Sequence, residues 1–160
     1  MERNQRITVG GIMTFHDLCL IGVMSAPDQP GIGAAIFRTL GRARLSAQFI
    51  VQCIDLSNES HVLFCVTDEN CDRVLDLVRP TAEELEARDI QVHHDVALIS
   101  VFGPDFRERP GIAGAMFDAL AGVGVNILAI STSISTVTCV IEQSDQPKAI
   151  EALHQVFMLP

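Results

Sequence analysis

One loop of this chain carries the residue types that ligand chemistry needs. Ala26-Pro27-Asp28-Gln29-Pro30-Gly31 ends an apolar run and opens a helical pattern. The first N–H groups of a helix have no partner inside it and carry partial positive charge, so that end attracts carboxylates. Gly31 lets a ligand approach the main chain closely. Asp28 could meet an ammonium group, or it could only cap the helix while Gly31 only makes the turn. Two amides are the other candidates. Gln52 ends an apolar run, and Asn126 sits between Val125 and Ile127. Either could satisfy nearby backbone or, facing a cleft, hold an amino or carboxylate group.

Other chemistry finds little support. There is no Gly-x-x-x-x-Gly-Lys phosphate loop and no Gly-x-Ser-x-Gly nucleophile elbow. His16, His61 and His154 are scattered, and His93-His94-Asp95 is the one cluster. Adjacent histidines of a strand point to opposite faces, so they do not readily share a metal. No catalytic residue, metal or cofactor is expected. The cysteines number five, Cys19, Cys53, Cys65, Cys71 and Cys139, with no Cys-x-x-Cys pair. They are expected to be buried, reduced thiols that act as small hydrophobes.

The loop recurs. Pro30-Gly31-Ile32-Gly33-Ala34-Ala35-Ile36-Phe37 returns 80 residues later, without a gap, as Pro110-Gly111-Ile112-Ala113-Gly114-Ala115-Met116-Phe117. A period of this kind means two copies of one supersecondary unit. Leu18–Val23 reads as a strand, followed by a helix over about 30–43 and strands at 45–53 and 61–67. A second helix begins at Cys71 with Asn70 as its cap, and Pro80 is expected to kink or restart it. Ile90–His93 closes the unit. The second copy runs through a strand at 96–102, a helix at 110–122, strands at 125–132 and 137–142, and a helix at 146–157. Strand-helix-strand crossovers around an antiparallel sheet predict an α+β protein of two ferredoxin-like βαββαβ units in tandem, side by side. Their expected limits are 17–90 and 91–160, with a leader strand at 7–15 added to one of the two sheets. Units this small bury little surface alone, so a second chain is expected to pair with this one.

The net charge of −9, with 11 scattered Lys and Arg, speaks against nucleic acid as a partner. No apolar stretch reaches the roughly 18–20 residues of a membrane span. No apolar signal core follows Met1–Arg6, so a cytoplasmic protein is expected.

The chain resembles the paired ACT domains of the regulatory half of aspartate kinase (aspartokinase). The carriers are Ile21-Gly22-Val23 with Asp28-Gln29-Pro30-Gly31, then Phe37-Arg38-Thr39-Leu40, Pro110-Gly111, Gly124-Val125-Asn126-Ile127 and Ile130-Ser131-Thr132-Ser133. The resemblance implies allosteric regulation by a feedback amino acid, lysine or threonine, bound at the interface between ACT units. It places Asp28, Gly31, Gly33, Gln52, Asn126 and Ile127 at that ligand. It implies a homodimer and a possible aspartokinase catalytic chain as partner. The family's kinase motifs are missing, so no enzyme activity is expected of this chain. Its length resembles that of regulatory subunits which begin at an internal Met. Two departures stand out. Ser46 and Gln48 replace an Asn and an acidic residue of the family's second pocket, and Ser133-Ile134-Ser135-Thr136 replaces a run that ends in Glu-Ile-(Lys/Arg). The second favours an alternative, an ACT-type oligomerisation or interaction module that retains no ligand.

Overall fold

A computed structural model describes residues 6–104 and 106–160. In chain order the elements are β1 (Ile7–Thr8), β2 (Gly11–Pro27), α1 (Ile32–Arg42), β3 (Phe49–Ile54), β4 (Glu59–Thr67), α2 (Cys71–Glu84), β5 (Asp89–Phe102), α3 (Ile112–Gly122), β6 (Ala129–Thr132), β7 (Thr136–Glu142), α4 (Gln146–Val156) and β8 (Phe157–Met158). They divide into two compact units. The first is Asp17–Asp95, and the second joins the segment ending at His16 to Val96–Pro160.

In the first unit the strand order is β3-β4-β2-β5. β2 and β4 are antiparallel, with Ile21 opposite Phe64 and Val23 opposite Val62. Side chains alternate across a strand, so Cys19, Ile21, Val23, Val62, Phe64 and Val66 all face one core. α1 covers it with Ile32, Ile36 and Leu40, one residue per turn along a single stripe. Phe37 of α1 meets Phe64 edge-on, with ring centroids 5.4 Å apart. α2 adds Val74, Leu75, Val78 and Ala82.

The expected restart at Pro80 does not occur, for α2 runs on through it as one helix. Pro80 is exposed, and the turn beyond it buries Ala82 and Leu85. That burial offsets the lost backbone hydrogen bond. Asn70 stands at the expected N-cap position, but its side chain makes no capping hydrogen bond to α2. Asn70 donates from Nδ2 to Thr67 Oγ1 at 2.8 Å, inside a short 3-10 turn that leads into the helix.

The second unit repeats the plan with β5, β7 and β6. Ile99 faces Cys139, and Ile130 faces Cys139 from the other side. α3 buries Ile112, Met116 and Leu120, each 80 residues after its counterpart in α1. The leader supplies the remaining strand, in that the part of β2 before Asp17 lies beside β5, and Gly10 N–H donates to Phe102 O at 2.7 Å. After α4 the chain does not re-enter the sheet. β8 pairs in parallel with β1 instead, Phe157 beside Ile7. Long β2 and β5 thus each serve both units. Each turns left-handed where it leaves one for the other, at Asp17 (φ 56°) and Asp95 (φ 54°). Short polar Asp tolerates that conformation better than most residues.

The cysteines depart from the expectation of five buried thiols. Cys19 and Cys71 form a disulfide that ties β2 to the start of α2. Cys53 is exposed on β3, which has a neighbour on one side only. Cys65 and Cys139 are buried free thiols. Burial pushes both up to about 12, because desolvation penalises the thiolate. The thiolate is the reactive form. Iodoacetamide is therefore expected to modify Cys53 alone in the native protein. Unfolding without reductant should add Cys65 and Cys139, and reduction should add Cys19 and Cys71. Peptide mass mapping at each stage checks this; early labelling of Cys65 or Cys139 would contradict the packing described.

Candidate functional site

The loop singled out in the sequence is built by three neighbouring features of the first unit. β2 reaches it through a bulge, where the register shifts between Val23 and Ala26 and Ser25 takes φ 56°. Beyond the bulge, Ala26 and Pro27 pair with Ser60 and Glu59. Asp28 N–H donates to Asn58 O at 3.1 Å, at the tip of the β3–β4 hairpin. Gly31 then turns the chain into α1 with φ 100°, a conformation that disfavours residues with a Cβ.

Gly31 itself is the N-cap of α1, and no side chain caps that helix among the described residues. Asp28 is therefore not a helix cap, the bland role the sequence left open. A Cβ added at Gly31 would meet no heavy atom within 4 Å, so the space above the helix end is open. The first-turn N–H groups of a helix lack partners inside it and carry the positive end of its dipole.

Gln52 completes the cluster. Its Oε1 lies 3.7 Å from the Cβ position of Gly33, and its Nε2 donates to Ser60 Oγ at 2.8 Å. Ser60 is fully buried, so the exposed Gln52 amide is anchored at one end and leaves an acceptor oxygen beside the helix start. The structure thus brings Gly33 and Gln52 together, with Gly31 and Asp28 on the adjoining loop. Asn126 and Ile127 belong to the second unit. Asn126 is exposed in the loop between α3 and β6, and Ile127 packs on that unit's core.

Sequence reasoning missed Ser60, Asp55 and His61. Asp55 Oδ1 accepts the N–H groups of Ser57 and Glu59 and so shapes the hairpin tip. Its Oδ2 lies 2.9 Å from His61 Nε2. The His61 hydrogen bond, helped by the Glu59 and Ser57 N–H groups, holds the Asp55 carboxyl below its ordinary value. The Asp-x-Ser-Asn turn signal was visible, but its reach to His61 depends on hairpin register. Arg88 forms an ion pair with Glu59 close by.

In the second unit the equivalent Gly111 has φ 95° and also begins its helix without a side-chain cap among the described residues. A cavity of about 280 Å³ borders this loop, lined among others by Arg107, Arg109, Thr132 and Ser133. Thr132 stands where the first unit has Gln52, so the two loops share a backbone and differ in side chains.

The His93-His94-Asp95 cluster is not one site. His94 Nδ1 lies 2.8 Å from Asp68 Oδ1, and this hydrogen bond raises the imidazole above its ordinary 6.5. A raised folded-state value favours folding at pH below the unfolded value. The benefit is lost as pH rises through the folded one. His94→Gln is thus expected to lower the thermal midpoint at acidic pH and to match the wild type at alkaline pH. A pH series of melting curves checks the sign; the two charged partners are largely exposed, so the gap should be small.

Two α+β units, whose first helices both start at a left-handed glycine with no side-chain cap among the described residues, have the ferredoxin-like architecture of ACT domains. Residues 99–157 match the ACT domain family. The chain is 31% identical over 158 residues to the aspartate kinase of Pseudomonas fluorescens (strain SBW25), covering 99% of this chain and 38% of that protein. It is 30% identical over the same length to the aspartokinase of Pseudomonas aeruginosa, again covering 99% and 38%. The regulatory subunit of aspartate kinase from Thermus flavus superposes with a TM-score of 0.85 at 27% identity, covering 93% of this chain and 98% of that one. The ligand-free regulatory subunit from Thermus thermophilus gives 0.85 at 28%, covering 94% and 99%. Over nearly its whole length this chain is similar to the regulatory subunits of aspartate kinase. It spans 38% of the length of these curated relatives.

Proposed function

We propose that this protein senses a free amino acid, lysine or threonine, and passes the signal to an aspartate kinase catalytic chain without doing chemistry itself. The observation that carries the reading is the helix start at Gly31. It is open, uncapped, flanked by Asp28 and faced by the anchored Gln52 oxygen. A ligand carboxylate suits the helix N–H groups, and a ligand ammonium suits Asp28 and Gln52 Oε1. Asn126 and Ile127, in the second unit, are further ligand residues that the family resemblance implies. The Thermus structures support regulation by a chain of this extent, and a related structure holds aspartokinase alpha and beta subunits together. A homodimer is part of the proposal. So is a cytoplasmic setting; no helix among the described residues is long and apolar enough to cross a membrane.

A thermal-shift screen of the common amino acids tests the reading. A ligand at a hundredfold excess over its dissociation constant adds about 2.7 kcal/mol to a native state. That moves the midpoint of a chain this size by roughly 5–10 °C. A selective shift with lysine or threonine is expected. Shifts with neither would remove the ligand assignment.

A further inference from the structure

We propose that His61, in its neutral form, is the positioning residue that holds the Asp28–Gly31 loop ready for its ligand, and that acidification releases the loop. The proposal rests on the sensor reading above.

The geometry admits one tautomer. Ser25 N–H points at His61 Nδ1 at 3.1 Å. A backbone N–H can only donate, so Nδ1 must carry a lone pair. The ring proton then sits on Nε2, which donates to Asp55 Oδ2 at 2.9 Å. His61 thereby joins the two supports of the loop. On one side is the β2 bulge, where Ser25 is held at φ 56°, three residues before Asp28. On the other is the hairpin tip, where Asp55 orders Ser57 and Glu59 and Asn58 O receives Asp28 N–H.

Protonating Nδ1 would set two donors against each other. The imidazolium keeps Asp55, its counter-charge, and so the Ser25 contact is the one that opens. The other groups around the ring do not reverse this. Glu59 is engaged by Arg88, and the residue opposite His61 across β3 and β4 is Cys53. Imidazole is the side chain type whose charge changes between about pH 5 and 8.

The test is calorimetric titration with lysine and with threonine at about pH 8 and about pH 5.5, on the full chain and two variants. His61→Asn places an oxygen where Nδ1 was, and His61→Gln places an amide nitrogen where Nε2 was. The wild type is expected to bind about 2- to 10-fold more weakly at the lower pH, the range one lost hydrogen bond spans. His61→Asn should bind with little pH dependence, and His61→Gln should be weak at both. Nitrogen-15 imidazole shifts at neutral pH should show an unprotonated Nδ1 in the wild type. Equal wild-type affinity at both pH values, or a proton found on Nδ1, would overturn the role of His61 and leave the sensor intact. Binding of neither amino acid at either pH would overturn the sensor reading, and this proposal with it.

Discussion

Phe64→Ala is expected to cost about 3–5 kcal/mol of stability, the range for emptying a buried aromatic site. Phe64 is fully buried in the middle of β4 and stands at the centre of the first unit's core. It contacts Phe37 edge-on, an arrangement worth about 0.5–1.5 kcal/mol beyond area alone. The cavity cannot close easily, because the strand is held on both sides by β2 and β3. A typical domain has only about 5–15 kcal/mol of net stability, so the loss approaches the whole margin. Urea denaturation followed by circular dichroism gives the number. Phe64→Leu, which keeps most of the volume, should cost well under half as much. A loss below about 1 kcal/mol in the alanine variant would mean the core is not packed as described.

Gln52→Ala is expected to weaken amino-acid binding by about 10- to 100-fold, the scale of one hydrogen bond to a charged group. The fold should survive. Gln52 is exposed, and its removal takes one donor from the buried Ser60 hydroxyl, a cost of about 1–3 kcal/mol. Gln52→Glu separates the two roles of the amide. A carboxylate still accepts from a ligand ammonium, and the Ser60 hydroxyl can turn to donate to it. The Glu variant is therefore expected to bind at least as well as the wild type. Isothermal titration of the three proteins, with melting curves alongside, checks both statements. Full affinity in the alanine variant would remove Gln52 from the site. Lost binding in the Glu variant would mean that Nε2, not Oε1, serves the ligand.

Much of the site was legible because its parts are local. A proline and a glycine between an apolar strand and a helical stripe dictate a strand, a turn and a helix start, whatever lies around them. The same holds for the stripe itself, where Ile32, Ile36 and Leu40 and then Ile112, Met116 and Leu120 sit at helical spacing and are buried at that spacing. The restart expected at Pro80 failed for the opposite reason. Proline's local penalty was outweighed by the apolar turn beyond it, which no local rule weighs.

The sequence alone determined that one unit occurs twice and, to within about two residues, where each helix begins, because repeat and periodicity are properties of short stretches. Partners distant along the chain were decided by the tertiary structure. Cys19 meets Cys71, 52 residues away, and Ser60 meets Gln52. His61 reaches Ser25 and Asp55 at once. Each of these depends on strand register, and a shift of one residue would turn every such side chain to the other face. The leader's place in the second unit follows the same logic. An isolated strand carries no mark of which edge it will join, since any backbone can complete any ladder, and only the assembled sheet selects one.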